Sequence, residues 1–355
     1  LNEKIDVGVL GATGTVGERL VRLLADHPFF RLTEVGASGR SAGSRLGSLI
    51  RTGEEGPLHR DVADLTVRAL DEKWSAPLLL SALPSDIARD LEPRLAEAGH
   101  LVVSNASSHR MGADVPLLIP EINPGHLDLL EAQARRWPGG IVTNPNCAVT
   151  AFALPLAALQ HAFGVERVVV TTFQSISGAG KPGPSAGDLL DNVIPYISGE
   201  EEKISAEPRK ILGTLLGDHI EDASFQVSAT ATRVPVSHGH LAALSVSLGR
   251  RASPDEVAEA LRGFESAVAG DLLPSSPPLP IEVLTEADRP QPRLDRDRGR
   301  GMTVTVGRIR RCEVGDVKFL ALSHNLLRGA AGAALLNAEL CHVRGLTRRV
   351  VGGTS

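Results

Sequence analysis

The chain has 355 residues, with 37 Lys and Arg against 42 Asp and Glu and a formal charge of −5 at neutral pH, so no basic excess is available to track nucleic-acid phosphates. At 42% hydrophobic residues, with 36 Gly, 23 Pro and few aromatics, the composition excludes a disordered or collagen-like chain and points to aliphatic cores of the kind that buried parallel strands build. Three cysteines, Cys147, Cys312 and Cys341, exclude a disulfide framework and match no zinc spacing, so no metal is expected.

In chain order, Ile5–Leu10 is an apolar run that ends in Gly11-Ala-Thr-Gly-Thr-Val-Gly17, after which Val16, Leu20, Leu23 and Leu24 recur at helical spacing. This reads as strand, glycine turn and helix. Residues 32–37 form a second strand ending in Ser38-Gly-Arg40-Ser41. Residues 78–83 and 101–105 are further buried strands with a helix over 88–98 between them, and the alternation predicts a doubly wound parallel sheet up to about residue 145. Residues 151–163 are expected to form an amphipathic helix and 165–173 a long β-branched strand. Beyond it, 225–233, 239–249 and 302–310 show the alternation of an antiparallel sheet, and 254–269 a helix carried by Val257, Leu261 and Phe264. The fold class expected is α/β, an N-terminal Rossmann-type sheet plus a second α+β domain. The expected division is 1–145, 146–324 and a C-terminal helix in 325–355 that returns to the first domain. Residues 275–292 form a Pro-rich connector, and the charged stretch Asp295 to Gly301 reads as a solvated turn. The N-terminus has no signal-peptide pattern and no apolar run approaches the ~20 residues of a membrane span, so a cytoplasmic protein is expected.

The glycine turn, lying between strand and helix, leaves backbone N–H groups and a helix dipole where a pyrophosphate binds. An acid at the end of the second strand would take ribose hydroxyls, but the chain has Ser38, Arg40 and Ser41 there, with Glu34 too far inside the strand, which favours NADP. Ser177-Gly-Ala-Gly180-Lys181 is no Walker loop, because position 175 is Ser and 182 is Pro. Cys147, in Asn144-Pro-Asn146-Cys147-Ala148, precedes a helix whose first turn and dipole would stabilise a thiolate. A small buried hydrophobe is the competing reading, and it is the one adopted for Cys312 and Cys341. Spacing does not distinguish His238 from His240 in the segment after Arg233.

Taken together, these stretches resemble aspartate-β-semialdehyde dehydrogenase in the form typical of archaea and fungi, over essentially the whole chain. The similarity is carried by the glycine turn, Ser104-Asn-Ala-Ser-Ser-His-Arg110, Ile119-Pro-Glu-Ile-Asn123, Asn144-Pro-Asn-Cys147 and Ser177-Gly-Ala-Gly180. Further matches are Asp191-Asn-Val-Ile-Pro-Tyr-Ile197, Gly199-Glu-Glu-Glu-Lys-Ile204, Arg233-Val-Pro-Val236, Gly239-His240 and Arg328-Gly-Ala-Ala-Gly332. The resemblance implies NADPH-dependent reduction of L-4-aspartyl phosphate to L-aspartate-4-semialdehyde and phosphate. In that reaction Cys147 is the nucleophile, His240 the acid and base, and Gln174 orients the acyl group. It implies Arg233 on the substrate carboxylate, Glu201 on the ammonium, and Arg110, Lys203 and Asn146 on phosphate. For NADP(H) it implies Gly11, Thr13, Gly14, Thr15, Val16, Ser38, Arg40, Ser41, Gly178 and Asn325, with Gly178 and Asn325 near the nicotinamide. The expected partners are a small-molecule substrate and further copies of the chain, with no nucleic acid or membrane. Three positions depart from the family pattern: Ala148 for Ser or Thr, Lys181 for an aromatic, and Arg300 for Asn. They leave open a paralogue of the same mechanism acting on another acyl phosphate or on malonyl-CoA, against which the acid for an ammonium speaks. A catalytically silent NADP-binding scaffold is a further alternative, opposed by the complete set of reactive residues.

Overall fold

The computed structural model describes residues 3–50, 56–180 and 183–347; Lys181 and Pro182 lie outside them. Strands β1 (Ile5–Leu10), β2 (Phe30–Ala37), β3 (Val67–Ala69), β4 (Leu78–Ser81), β5 (Leu101–Ser104) and β6 (Gly140–Thr143) form one sheet in the order β3-β2-β1-β4-β5-β6. Every pair is parallel, the doubly wound order whose switch point lies between β1 and β4. Successive residues serve opposite faces: Val7, Val9, Leu78 and Leu80 join one core, Leu10, Leu79 and Val102 the other. The helix Thr15–Leu24 buries Leu20, Val21 and Leu24 in the first of these cores, while Leu23 turns to the solvent side. The closing helix, Gly332–Val343, adds Ala334, Leu335, Leu336 and Leu340 to that same core.

The second sheet is built from β7 (Val165–Gln174), β10 (Gln226–Arg233), β11 (His240–Leu248), β12 (Ile281–Val283), β13 (Val304–Arg311) and β14 (Val317–Ser323), in the order β10-β7-β11-β14-β13-β12; β8 (Thr214–Leu216) and β9 (His219–Glu221) pair separately. Its three central pairings are antiparallel, but β10 runs parallel to β7 and β12 parallel to β13. The expectation of antiparallel pairing from the alternation in 225–233 is therefore corrected. Alternation reports that one face is buried and says nothing about the direction of the neighbouring strand.

Several helix boundaries also differ from the sequence reading. A one-turn 3-10 segment, Val149–Ala151, and a break at Phe152 come before the helix Ala153–Phe163. That helix is buried on nearly every side rather than amphipathic. The helix expected over 254–269 is Pro254–Arg262, opened by a reciprocal Ser253–Glu256 cap and closed at Gly263, while Phe264 still packs on the core. The segment from Asn325 is not a simple helix start. A π-turn, Leu327–Ala331, precedes the closing helix, and Asn325 caps nothing. The helix Glu200–Ile211 escaped the sequence reading because few of its residues are apolar; its ends carry Glu200, Glu201 and Glu202 first and Arg209 and Lys210 last, matching its dipole. The supposed solvated turn at 295 holds a buried carboxylate: Asp295 accepts Arg289 Nε at 2.7 Å, Arg298 Nε at 3.0 Å and the Gln291 N–H at 2.7 Å. Among the described residues no helix is long and apolar enough to cross a membrane.

Candidate active site

Strand register gathers residues that are far apart in the sequence. Because β7 and β10 are parallel, their last residues, Gln174 and Arg233, lie side by side. Because β11 is antiparallel to β7, it begins at that same edge with His240, and His240 pairs with Ser323, the last residue of β14. The chain leaving β6 brings Asn144, Asn146 and Cys147 to this edge, and the chain leaving β5 brings Asn105 and Arg110.

Cys147 Sγ lies 3.2 Å from His240 Nε2. The imidazole is fully buried, and its Nδ1 accepts the Ser175 N–H at 3.0 Å, with Ser175 Oγ at 3.2 Å. Gly178 makes room for it: a Cβ there would lie 2.9 Å from His240 Cε1 and 3.1 Å from Arg233 Nη1. Burial pushes the Cys147 thiol up to about 12, with Glu200 adding to the rise against Arg110 and Arg233. Burial and the neighbouring Arg233 bring His240 down to about 3. The resting pair is thus a neutral thiol and a neutral imidazole. The thiolate stabilisation expected from a following helix does not apply directly, since the helix begins only at Ala153, after the 3-10 turn and its break.

Two carboxylates hold the surrounding groups. Glu200 accepts Asn146 Nδ2 at 2.9 and 3.0 Å, Gln174 Nε2 at 3.1 Å and Lys203 Nζ at 3.0 Å, and these partners keep its carboxyl below the usual range despite burial. Glu207 accepts Arg110 Nη1 at 2.8 Å and the Asn146 N–H at 2.5 Å. Arg110 Nη2 donates to the Asn105 carbonyl, and its buried Nε has no partner among the described residues. Arg233, also buried, donates from Nη1 to the Ser175 carbonyl at 2.8 Å.

Two family profiles match this chain: "Semialdehyde dehydrogenase, NAD binding domain" over residues 6–130 and "Semialdehyde dehydrogenase, dimerisation domain" over 156–328. It is 49% identical to an aspartate-semialdehyde dehydrogenase of Archaeoglobus fulgidus, over 95% of this chain and 98% of that one. The chain belongs to the aspartate-semialdehyde dehydrogenase family. The solved enzyme of Candida albicans, described with NADP, superposes with a TM-score of 0.89 at 38% identity, covering 97% of this chain and all of that one. An aspartate semialdehyde dehydrogenase II of Vibrio cholerae, described as complexed with ASA, gives 0.76 at 28% identity, covering 97% and 99%.

Of the adjacent acids Glu200 and Glu201, the one named from the resemblance, Glu201, is not the one that faces the thiol. Glu201 accepts the Ala231 N–H on β10 at 3.0 Å, whereas its neighbour Glu200 faces Asn146 and Gln174 and acts electrostatically on Cys147, Arg233 and His240. In a run of three glutamates, only the helix phase tells which one turns inward. Lys203, one turn further along the helix, is paired with Glu200, and the Asn146 side chain is committed to the same carboxylate. Glu207 was missed altogether: its i+4 spacing from Lys203 suggests a surface pair, whereas its partners are Arg110 and the Asn146 N–H. Asn325 is buried and bridges two segments: its Oδ1 accepts the Gly239 N–H and its Nδ2 donates to Ser177 Oγ, both at 2.9 Å. His238 does not reach the thiol; its Nδ1 lies 2.9 Å from Ser177 Oγ.

At the other sheet edge, the glycine turn is shaped for close approach. Gly11 has φ +80° and its N–H, like that of Ala12, donates to the Gly36 carbonyl. A side chain at Gly17 would collide with the Gly11 carbonyl. Thr15 and Val16 open the helix, where first-turn amides have no intrahelical acceptor, and Thr13 and Gly14 precede them. Glu34 is occupied by Arg68 and by the N–H groups of Ser75 and Ala76 at 2.9 and 2.7 Å. The end of β2 therefore presents Ser38 and Arg40, both exposed, and Ser41.

Proposed function

We propose that the chain catalyses the reversible, NADP-dependent reduction of L-4-aspartyl phosphate to L-aspartate-4-semialdehyde through a thioester on Cys147. The observation that carries this reading is the Cys147–His240 contact, flanked by a buried guanidinium, Arg233, and a buried carboxylate, Glu200. An α-amino acid needs one partner of each sign, and the two sit beside the nucleophile. Cys147 attacks the acyl carbonyl, the carbon–oxygen bond to phosphate breaks, and the thioester forms. Arg233 pairs with the substrate carboxylate. Glu200, in place of Glu201, takes the ammonium, and Gln174, tied to Glu200, fixes the acyl group. Arg110, with its unpartnered Nε, and Lys203 bind the phosphate. Asn146 spans Glu200 and Glu207 and so sets the nucleophile against both. His240 exchanges the proton with Cys147.

Bound at the glycine turn, NADPH supplies the hydride that takes the thioester to the aldehyde level. The residues present fit it: first-turn amides without an intrahelical acceptor for a pyrophosphate, a serine and arginine pair for a 2′-phosphate, and, among the described residues at the end of β2, no available acid for a free 2′-hydroxyl. Gly178 and Asn325, beside His240 and Ser177, lie on the nicotinamide side. A family profile named for dimerisation over 156–328 supports a homo-oligomer. We further assign residues 1–145 to the cofactor domain, 146–324 to the catalytic domain, and the closing helix to the first of them, on its shared core; the site of action is the cytoplasm.

The purified chain, given L-aspartate-4-semialdehyde, phosphate and NADP, is expected to show phosphate-dependent formation of reduced nicotinamide. Turnover of malonate semialdehyde with CoA in its place would move the chain to the acyl-CoA branch.

A further inference from the structure

His240 is fully buried and stands beside the cation Arg233, yet the reaction proposed above consumes one proton per reductive turnover. The proton needs a route that does not leave a cation on this ring. On the side away from the thiol, His240 Nδ1 lies 3.2 Å from Ser175 Oγ, Ser175 Oγ lies 3.4 Å from Ser177 Oγ, and Ser177 Oγ lies 2.9 Å from His238 Nδ1. His238 is half-buried and so reaches solvent. Asn325 Nδ2 donates to Ser177 Oγ, which leaves the Ser177 hydroxyl proton to point onward along the chain.

We propose that Ser175, Ser177 and His238 form a proton relay between the buried His240 and solvent. This rests on the reading of His240 as the group that exchanges a proton with Cys147. Running outward, from the tautomer that carries its proton on Nδ1 and donates it to Ser175 Oγ, the S–H bond breaks as Nε2–H forms and the Nδ1–H proton passes to Ser175 Oγ. The Ser175 hydroxyl proton then passes to Ser177 Oγ, and the Ser177 proton to His238 Nδ1. The product is a Cys147 thiolate facing Nε2–H, a neutral His240 and a His238 imidazolium that gives its Nε2 proton to a solvent base. Running inward, the same bonds return one proton to His240 Nδ1 as Nε2 donates toward the leaving phosphate, and a second inward passage reprotonates the Cys147 thiolate when the aldehyde leaves, so that one proton is taken up per reductive turnover.

The double contact at Nδ1 suits such a switch. Ser175 Oγ accepts when Nδ1 carries a proton, and the Ser175 N–H, 3.0 Å away, donates to Nδ1 once that proton has left. The buried ring thus alternates between two neutral tautomers, and the charge appears on His238. That ring is stacked on His324 with centroids 5.6 Å apart, its carbonyl accepts from Arg296, and Asp297 lies 3.8 Å from His324. Among the described residues, further charged groups around the path are Arg233 and Glu200 beside His240 and Arg19 near His324.

The test uses Ser177→Ala, Ser177→Thr and His238→Ala in the full chain, with L-aspartate-4-semialdehyde, phosphate and NADP. In dilute buffer, Ser177→Ala and His238→Ala are expected to lose about tenfold or more of kcat, with an enlarged solvent deuterium effect and with aldehyde KM and NADP Kd unchanged. Added imidazole restores His238→Ala, and Ser177→Thr keeps the wild-type rate. A wild-type kcat in dilute buffer for the Ala variants overturns the relay, as does a loss that neither imidazole nor threonine repairs. If the wild type itself fails to turn over these substrates, the functional reading falls and the relay with it; wild-type turnover with indifferent variants removes the relay alone.

Discussion

At the carboxyl edge of the first sheet, the groups that would meet a dinucleotide are mostly backbone amides of one short stretch, those of Thr13, Thr15 and Val16, held in place by the Gly11, Ala12 and Gly14 amides that bond to the Gly36 and Gly11 carbonyls. At the reactive edge of the second sheet the groups are side chains, and Cys147, Gln174, Glu200, Arg233 and His240 come from five separate segments. A backbone site needs only a local conformation, so sequence spacing suffices to describe it. A side-chain site needs the register of several strands and the phase of a helix, so a shift of one residue changes which group arrives.

The comparison predicts separable failures. Cys147→Ala should reduce turnover by on the order of 10⁴-fold or more while NADP affinity, read by fluorescence titration, stays at the wild-type value. Parallel loss of both would mean that the two edges are one structural unit. The reactive edge also stores a pH dependence that the glycine turn lacks. His240 and His324 are both lowered to about 3 from 6.5, so the unfolded chain binds more protons between those values. Their contribution is complete above about 6.5 and is lost as the pH falls toward 3. Urea midpoints that stay level from neutral pH to 4 would contradict it.

A sharper comparison lies within the glutamate run. Glu200→Gln should raise the KM for aspartate semialdehyde by roughly thirtyfold through loss of a charged partner, whereas Glu201→Gln, one residue further along the helix, should change it little. The reverse order would restore Glu201 to the site. The smallest effect is expected at the first edge: Arg40→Ala should weaken NADP by about fivefold and NAD hardly at all, since an exposed arginine contributes on the order of 1 kcal/mol. Equal weakening of both cofactors would place Arg40 elsewhere than on the 2′-phosphate.

Much of the first sheet was legible because its strands are buried on both faces and so read as short aliphatic runs between turn signals. Cys147 was singled out by its place ahead of a helix, with a small buried hydrophobe as the competing reading, whereas Arg233 and His240 were named by the family resemblance, since spacing could not separate His240 from His238. Glu207 and the inward phase of Glu200 were not, because the helix Glu200–Ile211 has too few apolar residues to announce its period. The parallel placement of β10 on β7 was also invisible, since alternation is the same for either direction.

By itself, then, the sequence determined the local chemistry: a strand-turn-helix phosphate cradle, a cysteine ahead of a buried helix, and an adenosine end without a usable acid. Tertiary structure decided which of those groups meet. It put Gln174, Arg233 and His240 on one edge, chose Glu200 over Glu201, and laid two seryl hydroxyls between His240 and His238. The reason is the range of the forces involved: turn and helix conformations are set by neighbours in sequence, while strand register is set by burying both sheets' apolar faces at once.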